Sequence, residues 1–245
     1  MASRETLLAR TFVEAADTMV ADFDVVDFLT TLATRCVELF DASEAGFMLA
    51  GPGGGLQVAA SSSGSMNHLE LFELQHNEGP CVDCYRQGQL VKSEDLRRDL
   101  QTWPEFGPEA LRAGFESAYA LPMRLRETTI GSLNLLRDRP GALAEDDLVD
   151  AQALADVATI GLLQHRAADD SQLLTGQLQY ALNSRVVIEQ AKGVLAQQGD
   201  LTIDDAFTAL RGYARHHNQR LSDVAHAVAE RSLPADAILG SRAPR

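Results

Sequence analysis

The segment "SAYALPMRLRETTIGSLNLLRD", residues 117–138, contains two apolar runs separated by the polar tetrapeptide "RETT". Runs of this kind around a short polar connection are typical of two antiparallel strands joined in a hairpin. A second pair lies upstream, where "EAGFMLA", residues 44–50, and "LQVAASSS", residues 56–63, flank the turn "GPGGG". The segment "QLVKSED", residues 89–95, predicts a further short strand. Together these patterns indicate one antiparallel sheet.

Helical patterns lie between and around the strands. Asp24 fits the N-cap of a helix over residues 25–40, in which apolar residues recur at helical spacing. The segments 66–78 and 102–114 predict two more helices. Hairpin-connected strands with interspersed helices predict an α+β domain, an antiparallel sheet with helices on its faces. We expect an N-terminal helix over residues 1–20 before this domain.

The charge of the chain is unevenly distributed. The 245 residues carry a formal net charge of −14, but the segment from Tyr180 to Arg245 holds eight Lys/Arg against seven Asp/Glu. An acidic surface repels nucleic acid and anionic lipid, so any contact with RNA or DNA must lie in this last quarter. No segment approaches the ~20 apolar residues of a membrane span. The three cysteines fit a reducing compartment, and we expect a cytoplasmic protein with no membrane partner.

Residues 144–198 predict one very long helix or two coaxial helices. A seven-residue repeat of apolar positions runs along this segment, formed by Ile160, Ala167, Leu174, Ala181, Ile188 and Leu195. Such a repeat is typical of a two-chain coiled coil. We therefore expect a long helical linker over residues 144–180 and a homodimer. The alternative is a single helix that lies across its own domain.

The segment 181–233 predicts an all-α bundle of three helices. Thr202 and Ser222 fit the N-caps of its second and third helices. Small apolar residues would fill the bundle, which leaves its basic side chains exposed on two neighbouring helices. These side chains are Arg185, Lys192, Arg211, Arg215 and Arg220. For residues 234–245 we expect a flexible tail.

Two parts of the chain resemble known families. Residues 177–229 resemble an ANTAR domain, the RNA-binding antitermination module of bacterial regulators, through "SRVVIEQAKG", "DDAF", "LR" followed by "ARHHN", and "LSDVA". The preceding region resembles the GAF domain of actinobacterial GAF–ANTAR regulators through "NEGPCVDCYRQGQLV", "ALPMRL" and "IGSLNLL". We therefore expect a GAF-like sensor domain over residues 21–143 and an ANTAR-like domain over residues 181–233.

The resemblance implies a dimer that binds paired RNA stem-loops in a nascent transcript, under control of a signal received by the GAF domain. RNA polymerase and an upstream signalling protein are further candidate partners. Cations would hold the RNA phosphates, and a glycine would let RNA or a helix approach closely. The candidate RNA-binding residues are Arg185, Lys192, Gly193, Arg211, Arg215 and Arg220.

A GAF fold usually keeps a pocket between its sheet and the crossing helices. Strand alternation and the family pattern indicate its lining residues as Met48, Phe72, Cys81, Phe115, Tyr119 and Asn134. The aromatic content is only 6%, so we expect no haem or bilin. We assign no cofactor, and the small-molecule ligand of this domain stays open.

The motif "CVDC", Cys81 to Cys84, is compatible with a redox dithiol, half of a metal site or a plain helical turn. A zinc site needs four ligands and no second CxxC exists, so we assign no metal. The sequence has no phosphate-binding glycine loop, GxSxG or HExxH motif, and we expect no enzyme and no catalytic residue. The alternatives to RNA regulation are a protein-interaction or dimerisation module without RNA binding, and a thiol redox sensor.

Overall fold

The structure, a computed structural model, describes residues 4–20, 23–51, 54–126, 128–164 and 173–240. In chain order its helices are α1 (Arg4–Val20), α2 (Val25–Leu39), α3 (Gly64–His76), α4 (Pro80–Gln87), α5 (Phe106–Arg112), α6 (Glu145–Gln164), α7 (Leu173–Gly199), α8 (Ile203–His216), α9 (Leu221–Ala229) and α10 (Ala235–Leu239). Its strands are β1 (Glu44–Ala50), β2 (Leu56–Ser61), β3 (Val91–Ser93), β4 (Ser117–Leu125) and β5 (Thr128–Arg137). An α+β domain is followed by an all-α bundle, which confirms the predicted fold class.

The strands form one antiparallel sheet in the order β2-β1-β5-β4-β3. Both predicted hairpins are confirmed, β1 with β2 and β4 with β5. In the central pair, β1 and β5, Gly46 lies opposite Asn134 and Met48 lies opposite Ser132. Because residues two apart share a face of a strand, these four positions lie on the same face of the sheet.

Helices cover both faces of the sheet. On one face α2 and α6 pack against the strands, with α1 outside them, over a core that includes Phe47, Tyr119 and Leu133. On the other face lie α3 and α4, with α5 packed against α3. This second face holds smaller apolar clusters and several buried polar side chains.

The predicted linker over residues 144–180 differs from the structure in its first half. Helix α6 occupies that half and buries Ala151, Leu154 and Ala158 in the core of the α+β domain. It contacts β4 and α1. These buried residues, which are not part of the predicted repeat, form the face with which α6 covers the sheet.

The predicted coiled-coil repeat does not form a seam among the residues whose side chains are described. Ile160 is 47% exposed, while Ile188 and Leu195 lie in the core of the C-terminal bundle. Ala167 lies outside the described residues, as do the side chains of Leu174 and Ala181. A repeat of seven also marks one face of a single helix, because seven residues are close to two helical turns, and so it does not require a second chain.

The bundle consists of α7, α8 and α9, which pack against each other. Thr202 is the N-cap of α8 as predicted, since its hydroxyl oxygen accepts a hydrogen bond from the Asp205 amide at 3.1 Å. The prediction for Ser222 is wrong, because α9 begins at Leu221 and Arg220 holds the N-cap position.

The segment predicted as a flexible tail begins with a helix. Helix α10 contacts α7 and α8, and it buries Ala235 and Ile238 in the bundle core. Residues 241–245 lie outside the described residues. The apolar side of α10 thus adds to the core of the bundle.

The bundle packs on the α+β domain. Helix α7 contacts β2 and α2, and α9 also contacts α2. Val26 of α2 belongs to the core of the bundle, where its side chain is 4% exposed. Helix α7 therefore lies against its own domain, which was the alternative to a helix leading away from it.

Candidate nucleic-acid interface

Two of the predicted RNA-binding cations, on α8, contact an acidic residue of α2. The Arg211 guanidinium donates from Nε to Asp27 Oδ1, and Arg215 Nη2 lies 3.3 Å from Asp27 Oδ2. Both arginines also donate to the hydroxyl oxygen of Thr31. The Arg211 side chain is only 20% exposed. The expectation of two solvent-facing arginines is thus wrong for Arg211, because the α+β domain covers it.

Arg185 of α7 lies against α3. Its Nη2 donates to Asn67 Oδ1. Burial lowers the pKa of Arg185, and this effect is opposed by the negative charges of Glu70 and Glu189. Because the guanidinium stays charged at any physiological pH, it depends on such oxygens for its solvation. Arg185 is therefore held at the boundary between the two domains.

Lys192 was expected to be exposed, but it is 9% exposed. Its Nζ forms an ion pair with Glu189 at 2.9 Å and lies 5.4 Å from the ring centroid of Phe207. The ammonium thus has an anion and an aromatic face as partners, both within the bundle. Its alkyl chain is covered by the helices around it, which is common for lysine.

The last two predicted RNA-binding residues differ in their surroundings. Gly193 of α7 is exposed, and a Cβ atom added to it would meet nothing within 4 Å. A ligand or a helix can therefore approach the backbone closely at this point. Arg220 is half-buried and adopts an extended backbone conformation directly before α9.

One carboxylate caps helices of both domains. Asp24 Oδ1 accepts from the amides of Val26 and Asp27 at 2.9 and 3.1 Å, which confirms it as the N-cap of α2. Its Oδ2 accepts from the Ser222 amide of α9 at 2.9 Å. Asp24 is 7% exposed. The backbone amide of Ser222, the residue predicted to be the cap, is thus itself capped by an aspartate 198 residues away.

A set of aromatic rings on α8, missed by the sequence analysis, lies on the bundle surface. The rings of Tyr213 and His217 stack with centroids 3.9 Å apart and 25° between their planes, and His216 lies edge-on to His217. Both histidines are exposed, and Gly212 beside them opens a shallow cleft. The signal in the sequence is the i, i+4 spacing of Tyr213 and His217, which places both rings on one side of a helix.

The six residues predicted to line a sensor pocket do not lie together. Met48, Cys81 and Asn134 meet on the face of the sheet under α4, and all three are buried. Tyr119 lies in the core of the opposite face, where its hydroxyl donates to the Gly141 carbonyl. Phe115 belongs to the apolar cluster around α5. Phe72 is half-buried and stacks on His76.

Two buried acids near Asn134 were not anticipated. Glu70 and Glu73 of α3 are both 0% exposed, and burial raises the pKa of each carboxyl to about 8. Hydrogen bonds from Ser61 to Glu70, and from backbone amides to Glu73, oppose this rise. A run of acids on a helix ordinarily indicates a solvent-facing surface, so the sequence carried no sign of this burial.

The cysteine motif is buried. Cys81 and Cys84 lie on α4 as free thiols, and burial raises the pKa of Cys81 well above its usual range and that of Cys84 to about 12. Such thiols form little thiolate near neutral pH, and thiolate is the reactive form.

Among the described residues no group of three His, Cys, Asp or Glu side chains could hold a metal ion. None of the described helices has the length and apolarity needed to cross a membrane.

Comparison with protein families identifies two domains. The GAF domain model matches residues 24–162, and the ANTAR domain model matches residues 176–228. The GAF domain is a sensor domain and the ANTAR domain is an RNA-binding antitermination module. Both are regulatory domains. No curated protein matches the chain.

Two solved GAF domains with TM-scores above 0.5 support the fold of the first domain. The GAF domain of an Acinetobacter phosphoenolpyruvate-protein phosphotransferase has 14% identity and a TM-score of 0.54, covering 69% of this chain and 99% of its own. The corresponding GAF domain from Coxiella burnetii has 15% identity and a TM-score of 0.53, covering 67% and 98%. A free methionine-R-sulfoxide reductase from Neisseria meningitidis has 18% identity and a TM-score of 0.49, covering 75% and 96%. From its matched segments and its fold, the chain belongs to the GAF domain family and carries, after its GAF sensor domain, a C-terminal ANTAR domain.

Proposed function

We propose that this chain is a transcription antitermination regulator that binds paired RNA stem-loops, and that its GAF domain withholds the RNA-binding cations in the conformation described above. The observation that carries this proposal is the convergence of Arg211 and Arg215 on Asp27. The ANTAR family assignment supports RNA as the ligand. The ion pairs of Arg211 and Arg215 with Asp27 support control of RNA binding by the GAF domain.

The basic residues of the bundle suit RNA phosphates. Proteins read looped-out RNA bases by stacking and hydrogen bonding, while cations hold the phosphates in register. In this bundle Arg185, Arg211 and Arg215 would hold phosphates. The exposed ring of His217, stacked on the half-buried ring of Tyr213, would offer a surface on which a base can stack.

RNA and the GAF domain compete for the same guanidinium groups. The Arg211 Nε and Nη2 groups that donate to Asp27 and Thr31 cannot at the same time place those hydrogens on a phosphate. Binding of RNA must therefore follow release of the bundle, and the apparent RNA affinity is reduced by the fraction of molecules that are released. A GAF ligand that favours release would raise the RNA affinity by the same relation.

Substitution of Asp27 tests the proposal. Asp27→Asn removes the charge that faces both arginines, and loss of two partly exposed ion pairs at about 0.5–1 kcal/mol each should raise the affinity for a tandem stem-loop RNA about tenfold. The measurement is a titration of labelled RNA with the full chain at low salt. Asp138→Asn is the matched control, because it changes the net charge equally at an exposed ion pair with Arg139, within the α+β domain.

A further substitution separates release from a general charge effect. Arg211→Ala in the Asp27→Asn background should abolish the gain, since the released guanidinium is the group that meets the phosphate. An equal gain in Asp27→Asn and Asp138→Asn, or no RNA binding by either variant, contradicts the proposal. If neither variant binds RNA, the alternative of a protein-interaction module without RNA binding gains support.

We also propose a homodimer, in which a second copy covers the helices outside the sheet. Large apolar side chains are exposed on α1 and α6, at 68% for Val13, 68% for Val149 and 47% for Ile160. Packing of α1 against α6 brings these helices together on one side of the domain. Exposed apolar side chains grouped in this way favour an interface between proteins.

A further inference from the structure

Buried polar atoms without a partner are concentrated in one place. Most polar atoms in a protein interior are hydrogen-bonded, and each exception calls for an explanation. Among the described residues, six buried side-chain atoms have no hydrogen-bond partner, and five of them lie on the face of the sheet under α3 and α4. These five are Glu70 Oε1, Glu73 Oε2, Ser132 Oγ, Asn134 Oδ1 and Asn134 Nδ2.

In each of the two carboxyls, one oxygen accepts hydrogen bonds that hold the side chain in place, and the other oxygen has no hydrogen-bond partner. The Ser61 hydroxyl donates to Glu70 Oε2 at 2.6 Å. The backbone amides of Cys81 and Val82, in the first turn of α4, donate to Glu73 Oε1 at 2.6 and 3.1 Å. Glu70 and Glu73 are three residues apart on α3, so they lie on one side of that helix. Both side chains are therefore held in place, with a free oxygen left on each.

The backbone leaves room for both carboxyls. A Cβ atom on Gly46 of β1 would lie 2.3 Å from Glu70 Oε1, and a Cβ on Gly79 would lie 2.6 Å from the Glu73 carboxyl. Gly79 also has φ = 141°, a conformation that other residues rarely adopt. Asn134 lies directly opposite Gly46 across the β1–β5 pair. The glycines thus let the two acids approach the strand that carries Asn134 and Ser132.

The chemistry of these atoms selects a cation with several donors. While the acids are ionised, three of these atoms are oxygens that accept hydrogen bonds and cannot donate them: Glu70 Oε1, Glu73 Oε2 and Asn134 Oδ1. A primary ammonium group has three N–H donors. Once the carboxyls are ionised they disfavour an anion, since the negative charge of Glu70 already raises the pKa of Glu73. The Asn134 amide nitrogen adds two N–H donors, which suit an acceptor on the same ligand.

The walls limit the size of the ligand. Met48, Cys81 and Ala120 form an apolar cluster beside Asn134, and all are 0% exposed. Glu70, Glu73, Ser132 and Asn134 are each at most 1% exposed. Because the residues around these atoms are almost completely buried, a ligand held by them must have few heavy atoms, with a short apolar portion next to Met48.

We propose that Glu70, Glu73 and Asn134 form a binding site for a small primary ammonium compound that carries a hydrogen-bond acceptor close to its nitrogen. The ammonium group bridges the free oxygens of the two carboxyls and the Asn134 carbonyl oxygen, and the acceptor meets Asn134 Nδ2. Binding as such does not depend on the proposed RNA function. Only the role of this site as the signal input of the GAF domain rests on that function.

Binding must displace protons. Burial raises the pKa of both carboxyls to about 8, so both are largely protonated at neutral pH. Other groups that act on them are Arg185, which favours ionised Glu70, and Asp83, which disfavours ionised Glu73; the nearby thiols Cys81 and Cys84 are un-ionised. An ammonium ion pairs with the ionised carboxyls. Its affinity therefore rises as the pH approaches 8, with release of protons on binding.

The test uses the full chain and two amines of equal length, 2-methoxyethylammonium and n-butylammonium, in buffers without a primary amine. We expect 2-methoxyethylammonium to raise the melting temperature by about 3 °C near saturation. The same titration by calorimetry in two buffers of different ionisation enthalpy should detect proton release. n-Butylammonium lacks the acceptor and should bind more weakly. Tetramethylammonium, a cation without N–H donors, should have no effect beyond that of sodium chloride.

Two variants separate binding from folding. Glu73→Gln keeps an oxygen for the Cys81 and Val82 amides and should lower the amine affinity about tenfold or more, whereas the exposed Glu94→Gln should not change it. Asn134→Leu removes two unpartnered polar atoms, so it should raise the melting temperature and abolish the effect of 2-methoxyethylammonium. Absence of any shift with either primary amine in the unmodified protein, or an equal shift in Glu73→Gln, overturns the proposal.

Discussion

Asp27 supplies the ion pairs of the contact between the domains, beside the Asp24 cap and the packing of Val26. The Asp27 carboxylate is 25% exposed and faces Arg211, which is 20% exposed, and Arg215, which is 57% exposed. Ion pairs with this degree of exposure contribute on the order of 0.2–1 kcal/mol each. Ion pairs of this strength favour the docked arrangement of the two domains but can be broken at small cost. A ligand or an RNA that offers an interaction of similar strength can shift the balance.

Glu70 and Glu73 make the stability of the fold depend on pH. The pKa of each is about 8 in the folded chain, against about 4.3 in an unfolded one. Between these values the folded chain keeps protons that the unfolded chain loses, so stability is fully present below the lower value and falls as the pH rises towards 8. The slope is about 1.4 kcal/mol per pH unit for each carboxyl.

The double variant Glu70→Gln/Glu73→Gln removes both titrations while keeping an acceptor oxygen on each side chain. We expect its free energy of unfolding, relative to the unmodified protein, to be higher at about pH 8 than at about pH 5.5. Urea titrations at the two pH values measure this difference. Glu94→Gln, at an exposed ion pair, should keep the slope of the unmodified protein. Parallel pH profiles for the double variant and the unmodified protein would refute the assignment.

Helix α3 connects the buried acids with the bundle. Asn67, which accepts from Arg185, precedes Glu70 by one helical turn, and Glu73 follows one turn later. All three therefore move together if α3 shifts. A change at the buried acids reaches Arg185 through a single rigid element, and the negative charge of Glu70 already acts on that arginine.

The shared cap of α2 and α9 gives a further prediction. Asp24→Ala removes acceptors for the amides of Val26, Asp27 and Ser222, and we expect a loss of about 2 kcal/mol, one cap for each helix. Because one of these caps joins the domains, the RNA affinity should rise as well. Urea unfolding and RNA titration measure the two effects.

Thr202→Ala is the matched comparison, since it removes a cap that lies within the bundle. It should cost about 1 kcal/mol and leave the RNA affinity unraised. The shared cap has no role in holding the domains if Asp24→Ala behaves in both measurements like Thr202→Ala.

Local features of the chain were predictable, and contacts between distant parts were not. The hairpins follow from apolar runs around polar turns, and the Asp24 and Thr202 caps from short-range rules that involve neighbouring amides. Arg211 and Asp27, by contrast, are 184 residues apart. Each lies on a helix whose charged side is as consistent with solvent as with a partner, so one sequence cannot show that they meet.

The buried acids of α3 were also unpredictable from the sequence, because their burial depends on distant segments. Glu70 and Glu73 belong to a helix that the sequence predicted, but their burial depends on Gly46 and Gly79, which come from other segments. Asn134 was predicted to face the ligand side of the sheet from strand alternation, which is a local signal. The acids that complete this site required the packing of α3 on β1 and β2 to be known.

The distribution of charge favours the docking of the bundle on the α+β domain. The chain outside the last quarter carries 13 Lys/Arg and 28 Asp/Glu, whereas the segment from Tyr180 carries a slight excess of positive charge. The acidic domain thus attracts the one part of the chain that RNA would also attract. Both interactions weaken with added salt, since both depend on screened charges.

Hydrogen exchange of the unmodified chain, with and without a tandem stem-loop RNA, decides whether RNA and the GAF domain compete for the same arginines. If they do, bound RNA slows exchange in residues 185–220 and speeds it in residues 24–31, whose amides lose the cover of the bundle. Slower or unchanged exchange in residues 24–31 while RNA is bound would show that the bundle binds RNA without leaving the GAF domain, and would contradict the mechanism.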